Sequence, residues 1–359
     1  MNKKRRKWLI VLCCILVVLA AGAAAYAIWE RPPETDEQGL RIPTIAAGSD
    51  PILHTASPDD PTALTESSPK RVPGSSKRRK ECYTFLITAM DQVGANTDTI
   101  LVGRFDTGKG TLDIVNIPRD TLVNAPISPK KINAVMALEG GGTDITKLED
   151  RLADILGFNV DSYALVNIRV LEQLVDCIGG VYYDVPRNMN YDDPTQDLHI
   201  HINQGYQWLS GENAVKVLRF RMGNGGTGYS DGDLGRITTQ QDFLKSIASQ
   251  ILTAGNIPHL AEAIDIFTEN VDTDLTGGNL AFFAREFLMM DKDNISFSTA
   301  LGEGVTIGAT SYYQLDVDAW VELVNEKLNP YYDSVSVENL DILRYDSVSG
   351  FVSTAGVVQ

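Results

Sequence analysis

The sequence predicts an α/β fold: one domain in which helices flank a central mixed β-sheet. Two observations predict it. Three runs rich in β-branched and aromatic residues, 83–88, 99–105 and 111–117, follow one another closely, with a turn at 106–110 between the last two. After them the pattern alternates. An amphipathic helix carries Leu148, Leu152, Ile155 and Leu156 on one side, and 163–168 reads as a buried strand. A short helix over 171–178 is stopped by Gly179 and Gly180, and 181–185 reads as another strand. Close antiparallel runs followed by helix-strand alternation imply a sheet of mixed rather than uniform direction.

Ahead of this domain the chain changes character. Lys3, Lys4, Arg5, Arg6 and Lys7 make a basic tail (1–7), and the uncharged stretch 8–29, with Trp8 and Trp29 at its ends, is long enough to cross a bilayer as one helix. The basic cluster puts the N-terminus in the cytoplasm and the rest outside the cell, as a single-pass protein of the cell membrane. A cleaved signal peptide is the competing reading, since Ala23, Ala25 and Ala27 suit a peptidase; the length of the apolar run favours retention. Residues 30–80, rich in Pro, Ser, Thr and Asp, read as a disordered extracellular linker that holds the domain away from the membrane. Its basic end, 77–80, either meets anionic head groups or wall polymer or is simply solvated. The domain spans 81–330, with further helices over 260–267, 280–290 and 317–328. Residues 331–359 form an extension, partly disordered, with a strand near 340–345.

Composition bounds the function. With 359 residues, 43% hydrophobic, the chain can bury a large core, and a net charge of -16 excludes a nucleic-acid surface, which needs basic density. The cysteines make no metal pattern. Cys82 and Cys177 either pair outside the cell or stay as two buried thiols.

Positive charge is instead local, in 210–241. Ser210 can cap a helix bearing Ala214, Val217 and Leu218 that delivers Arg219 and Arg221 into a Gly-rich loop, and the helix is expected to end near those arginines. A second helix, opened by Thr238 or Thr239, carries Phe243, Leu244, Ile247 and Ile251, with Arg236 and Gln240 one turn apart at its start. Guanidinium forks beside a helix N-terminus make a cradle for phosphate oxygens, although any one of these arginines alone reads as a solvated loop residue. Asp91 follows the first strand and Asp98 precedes the second. Paired carboxylates there suit a hard divalent cation; Asx-turns are the alternative. In Pro118-Arg119-Asp120-Thr121 the proline ends the third strand and presents Arg119, with Asp120 either orienting it or closing a turn.

These blocks resemble the LytR-CpsA-Psr family of cell-wall glycopolymer ligases from Gram-positive bacteria. The resemblance runs from about 84 to 252, continues more weakly to about 330, and rests on TAMD with NTDTI, NIPRDTLV, KINAV, the turn at 179–181, GYQWLSGENAV, RFR and DLGRITTQQ. It implies that Asp91 and Asp98 hold Mg²⁺, with Mn²⁺ as a substitute, and that Arg119, Arg219, Arg221, Arg236 and Gln240 surround a diphosphate. Asp233 would orient an arginine or assist proton transfer, so the implied catalytic set is Asp98, Arg119 and Asp233. The implied reaction moves a phosphoglycan from a polyprenyl-diphosphate-linked glycan to peptidoglycan, the lipid tail lying in an apolar groove between helix and sheet. Lys131 and Asn133 fall in a family motif without an assigned role. The chain departs from the family where it has Asn96 and Thr239, positions at which members commonly carry Arg.

Other patterns compete less well. Gly228 to Gly232 fits G-x-S-x-G around Ser230, and Gly223, Gly225 and Gly228 fit G-x-G-x-x-G, but no apolar strand leads into either. His199 and His201 share a strand face without a third ligand at suitable spacing. A non-catalytic binder of polyprenyl-phosphate lipids or wall polymer, and a polyprenyl-diphosphate hydrolase, are the remaining alternatives.

Overall fold

The computed structural model describes residues 30–33, 77–90, 97–139, 141, 144–195, 198–229, 233–251 and 259–359. The stretch 8–29, Asp91, Asn96 and most of the linker lie outside them. Among the described residues no helix is long and apolar enough to cross a membrane.

In chain order, β1 (Cys82–Met90), β2 (Thr97–Asp106) and β3 (Thr111–Asn116) come first, then α1 (Val135–Leu138), α2 (Ile145–Leu156), β4 (Ser162–Val166) and α3 (Ile168–Cys177). Two pairs follow, β5 (Val181–Val185) with β8 (Gly205–Leu209) and β6 (Met189–Asp193) with β7 (Leu198–Ile202), leading to α4 (Gly211–Arg219) and α5 (Asp233–Ile251). The chain continues through α6 (Leu260–Asn270), β9 (Asp272–Thr273), α7 (Gly277–Met289) and β10 (Ile295–Thr299). A hairpin of β11 (Gly302–Ile307) and β12 (Thr310–Leu315), α8 (Val317–Leu323) and a last hairpin of β13 (Leu343–Asp346) and β14 (Gly350–Ser353) complete it.

The central sheet has the order β10-β3-β2-β1-β4-β9 and is mixed, as expected. β1 runs parallel to β4 and antiparallel to β2, β2 antiparallel to β3, and β3 parallel to β10. Hence β1, β3, β4 and β10 all end at one edge. Period-two alternation sends Leu86, Ile100, Val102 and Val115 to one face, against Leu148, Leu152, Ile155 and Leu156 of α2, and Phe85, Leu101, Phe105 and Leu112 to the other. Phe85 lies opposite Gly103, where a Cβ would stand 2.3 Å from the Phe85 ring, so only glycine lets the ring lie flat across β2.

α5 is apolar on two sides. Phe243 and Ile247 enter a second core formed by β5 to β8 and α4, whereas Leu244 and Ala248 pack beneath the central sheet. This second core, with Val185, Met189, Ile200 and Phe220 buried in it, is the part of the fold that strand counting left undrawn.

Three expectations are corrected. Residues 331–359 belong to the domain: Tyr331, Leu340 and Ile342 are buried with α2 and Trp320, whose indole Nε1 donates to the Ile155 carbonyl at 2.6 Å. Within 77–80, Arg78 is interior, pairing with Asp161, donating to the Cys82 carbonyl at 3.1 Å and lying 5.6 Å from the centre of the Tyr331 ring, so it is not available to head groups. The linker begins on the domain rather than beyond it. Arg31 N donates to the Gly278 carbonyl at 3.2 Å, Asn279 Nδ2 to the Arg31 carbonyl at 3.0 Å, and Glu30 pairs with Arg285 at 2.8 Å. Cys82 and Cys177 are free thiols, and burial pushes the Cys82 thiol up to about 11.

Candidate functional site

Asp98 and Arg119 lie at the edge where β1, β3, β4 and β10 end, the usual place of a site in open α/β sheets. Asp98 is the second residue of β2. Strand pairing steps there from Ala89 with Thr99 to Met90 with Thr97, so Asp98 is the extra residue of a β-bulge, a device that re-aims side chains at sites. Beside it, Thr97 Oγ1 is buried without a hydrogen-bond partner among the described residues; Asn133 Oδ1, in the loop that braces Arg119, is likewise buried without one. Unsatisfied side-chain oxygens of this kind are the donor type a hard divalent cation takes.

Arg119 follows β3 on a tightly held turn. Thr121 donates twice to the Pro118 carbonyl, from N at 3.0 Å and Oγ1 at 2.6 Å, and Asn133 N donates to the Arg119 carbonyl at 3.2 Å. Asp120 faces both cations, Lys131 Nζ at 2.8 Å from one carboxylate oxygen and Arg119 Nε at 4.0 Å from the other. Lys131 and Asn133 thus brace the Arg119 loop, which gives the KINAV block its physical role.

The arginine stretch folds largely as its sequence dictates. Ser210 caps α4, its side chain accepting from Asn213 N at 3.4 Å, and α4 ends at Arg219 because Phe220 turns to extended backbone. Arg219 is half-buried and Arg221 exposed. The loop turns through Gly223 N to the Thr227 carbonyl at 3.1 Å, and Asn224 exchanges hydrogen bonds of 2.6 and 2.8 Å with the Asp192 backbone. No strand enters the Gly-rich stretch 223–228; Ser230 lies outside the described residues.

α5 begins at Asp233, earlier than expected, so Arg236, Thr239 and Gln240 are inside the helix. Gly235 permits this, for a Cβ there would stand 2.9 Å from Tyr229. Thr239 is buried with Oγ1 donating back to the Gly235 carbonyl at 3.0 Å. Gln240 Nε2 donates to the Leu218 carbonyl at 2.9 Å, which makes it a tie between α5 and the end of α4. Gln241 reaches the other way, to the Ser298 carbonyl at 3.0 Å and Thr299 Oγ1 at 2.9 Å, pinning α5 to the end of β10.

One arginine escaped the sequence reading. Arg187 lies 5.2 Å from the centre of the Tyr229 ring. Burial raises the Tyr229 phenol, and the charges of Arg187 and Arg236 oppose that rise. A signal existed: Val185-Pro186-Arg187 repeats the strand-proline-arginine exit of Ile117-Pro118-Arg119. The histidines also gain a neighbour. Asp192 Oδ1 lies 2.6 Å from His199 Nδ1 and 3.2 Å from His201 Nε2, all three exposed, because β6 supplies a group that spacing along β7 cannot reveal.

Beneath the sheet lies an apolar cavity of about 440 Å³. Ile87, Phe85 and Tyr83 of β1 form one wall, and Leu174 of α3, Ile264 of α6 and Phe283 of α7 the facing one. From Ile87 to Tyr83 it follows β1 for about 13 Å. It therefore begins three residues short of the strand end at Met90.

Residues 54–329 match the LytR_cpsA_psr family. The chain is 26% identical to polyisoprenyl-teichoic acid–peptidoglycan teichoic acid transferase TagU of Bacillus subtilis over 73% of its own length and 82% of that protein. It is 29% identical to the cell wall biosynthesis protein LcpA of Corynebacterium glutamicum over 60% of this chain, and 26% identical to the corresponding B. subtilis transferase TagV over 66% of it. The matches span only 44% of LcpA and 60% of TagV, about half the length of these relatives. In fold it is similar to crystalline B. subtilis TagV, with TM-score 0.58 and 22% identity over 69% of this chain and 96% of that one. It is also similar to TagT bound to LIIa-WTA, with TM-score 0.55 and 18% identity over 72% and 94%.

Proposed function

Because the chain belongs to the LytR_cpsA_psr family, we propose that it transfers a phosphoglycan from a polyprenyl-diphosphate-linked glycopolymer, of wall teichoic acid or capsule type, to peptidoglycan. The observation that carries this reading is the pairing of an arginine-bearing sheet edge with an apolar cavity under the same strands. An amphiphilic donor needs both, a cationic end for its diphosphate and a dry slot for its prenyl tail.

In this mechanism Arg119, Arg219, Arg221 and Arg236 neutralise the diphosphate, Arg187 adds a further cation, and Gln240 keeps the α4 and α5 contributions in register. A peptidoglycan hydroxyl attacks the phosphorus attached to the glycan. The new P–O bond forms as the bridging P–O bond breaks, polyprenyl phosphate leaves, and Asp233 takes the hydroxyl proton or holds an arginine for the transfer. Asp98, with Asp91, would hold a divalent cation such as Mg²⁺ or Mn²⁺, which when bound supplies charge neutralisation at the phosphate oxygens. The apolar stretch 8–29 would anchor the chain in the cell membrane with the domain outside.

The test is incubation of the full chain in detergent with a synthetic polyprenyl-diphosphate glycan and peptidoglycan oligomers, with and without Mg²⁺, read by mass spectrometry. A metal-dependent phosphodiester adduct, lost in Asp98→Ala, is expected. Bound lipid without any adduct would make the protein a binder, and phosphoglycan released without acceptor would make it a hydrolase.

A further inference from the structure

The short segment Glu30 to Pro33 directly follows the apolar stretch that ends at Trp29, and it lies on α7. Its three ties go to Gly278, Asn279 and Arg285, and Pro33 is buried. Gly278 and Arg285 are seven residues apart, two turns along one side of the helix. Leu280, Phe283, Ala284 and Phe287 stand on the opposite side and line the apolar cavity. α7 is thus a wall with the tether on its outside and the cavity on its inside.

The outer stripe continues past the tether as Phe282, Arg285 and Met289. Phe282 is half-buried, its ring edge-on to Tyr83 at 5.9 Å and covered by the Arg285 guanidinium at 5.7 Å, and Met289 is 77% exposed. An aromatic ring, a long cationic side chain and an unbranched apolar one in a row suit the interface between water and lipid. The far end of the linker is fixed as well: Tyr332 N donates to the Lys77 carbonyl at 3.1 Å, and Arg78 bridges to Tyr331. Pro33 and Lys77, which bracket the stretch 34–76, are both seated on the domain.

We propose that the outer face of α7 is the membrane-docking surface of this protein: the tether clamps Phe282, Arg285 and Met289 onto the bilayer, so that prenyl lipid reaches the cavity across a single helix. This rests on the reading of 8–29 as a membrane span, and it replaces the expectation of a spacer that holds the domain away from the lipid surface.

The experiment uses the full chain in phosphatidylcholine–phosphatidylglycerol liposomes carrying a head-group energy acceptor. A donor is placed through a genetically encoded azide at Met289 or, on the hairpin across the sheet, at Val348, which is 93% exposed. Flotation is measured first, and a chain that does not float overturns the membrane span and this proposal with it. For a chain that floats, the donor at 289 is expected to lose most of its emission and the donor at 348 little. Arg285→Glu should remove that difference, and Glu30→Arg combined with Arg285→Glu should restore it. Equal emission from the two positions in the unaltered chain, or no response to Arg285→Glu with the melting temperature unchanged, overturns the docking surface while leaving anchoring and transfer standing.

Discussion

The two edges of the central sheet use arginine in opposite ways. Where β1 and β3 begin, Arg78 pairs with Asp161, which also accepts from Thr84 N at 2.6 Å, and Arg104 holds Asp113 at 2.8 Å and the carbonyls of Glu326 and Asn329 at 2.9 and 3.2 Å. These guanidinium groups are buried and close the core against the C-terminal segment. Where β3 ends, Arg119 shares Asp120 with Lys131, and in the hairpin module Arg221 is exposed and Arg187 lies beside the Tyr229 ring. The first two arginines are spent within the fold, whereas Arg221 on its loop faces solvent. The residue type is the same, and its complement decides the role.

That contrast can be broken by experiment, and the largest effect is expected at the buried edge. Arg78→Ala strands Asp161 in the interior, where burial already raises its carboxyl, and should cost about 3–5 kcal/mol in denaturant unfolding. A loss below about 1 kcal/mol would mean that this edge is no more structural than the other. At the far edge, Arg119→Ala should slow transfer by roughly 10²–10³, about 2.7–4 kcal/mol, while unfolding shifts by no more than about 0.5 kcal/mol. A fall in stability matching the fall in rate would erase the distinction. Ala284→Trp, which places a ring in the cavity, should weaken binding of a polyprenyl phosphate roughly tenfold, about 1.4 kcal/mol, in a lipid titration, with the Arg119 loop untouched.

A pH-dependent effect is expected from an acid on α2, Glu149. Burial, followed by Asp274, Asp150 and Asp144, pushes the Glu149 carboxyl up to about 7. The folded chain therefore holds a proton that the unfolded chain releases near its ordinary value of 4.5. Stability from this group falls as pH rises from there through about 7, and the full penalty stands above it. Glu149→Gln should accordingly be neutral near pH 4 and raise the melting temperature above pH 7, by roughly 2–4 °C for each kcal/mol recovered. A gain that shrinks with rising pH would reverse the assignment.

Most of the central sheet was legible because its strands alternate with period two and its helices with period 3.6, and local spacing carries both signals. The span 181–185 and the end of α4 at Arg219 were readable for that reason. The start of α5 was misplaced because what lets the helix begin early is the fit of Tyr229 over Gly235, a contact rather than a pattern. Arg187 and Asp192 were missed because their significance depends on a ring and two imidazoles brought from other elements. The basic run 77–80 misled for the complementary reason: composition shows a charge and not the buried carboxylate of Asp161 that claims it. Of the proposed site, the arginines could be named from sequence, while the tie that Gln240 makes between α4 and α5 could not.

The double-sided apolar surface of α5 has a thermodynamic consequence. Since Phe243 and Ile247 complete one core while Leu244 and Ala248 complete the other, neither can lose this helix without exposing both. The hairpin module and the sheet should open as a single cooperative unit, with α5 amides among the slowest to exchange with solvent. A ligand held by Arg236 would then slow exchange across both cores at once, far from any atom it touches.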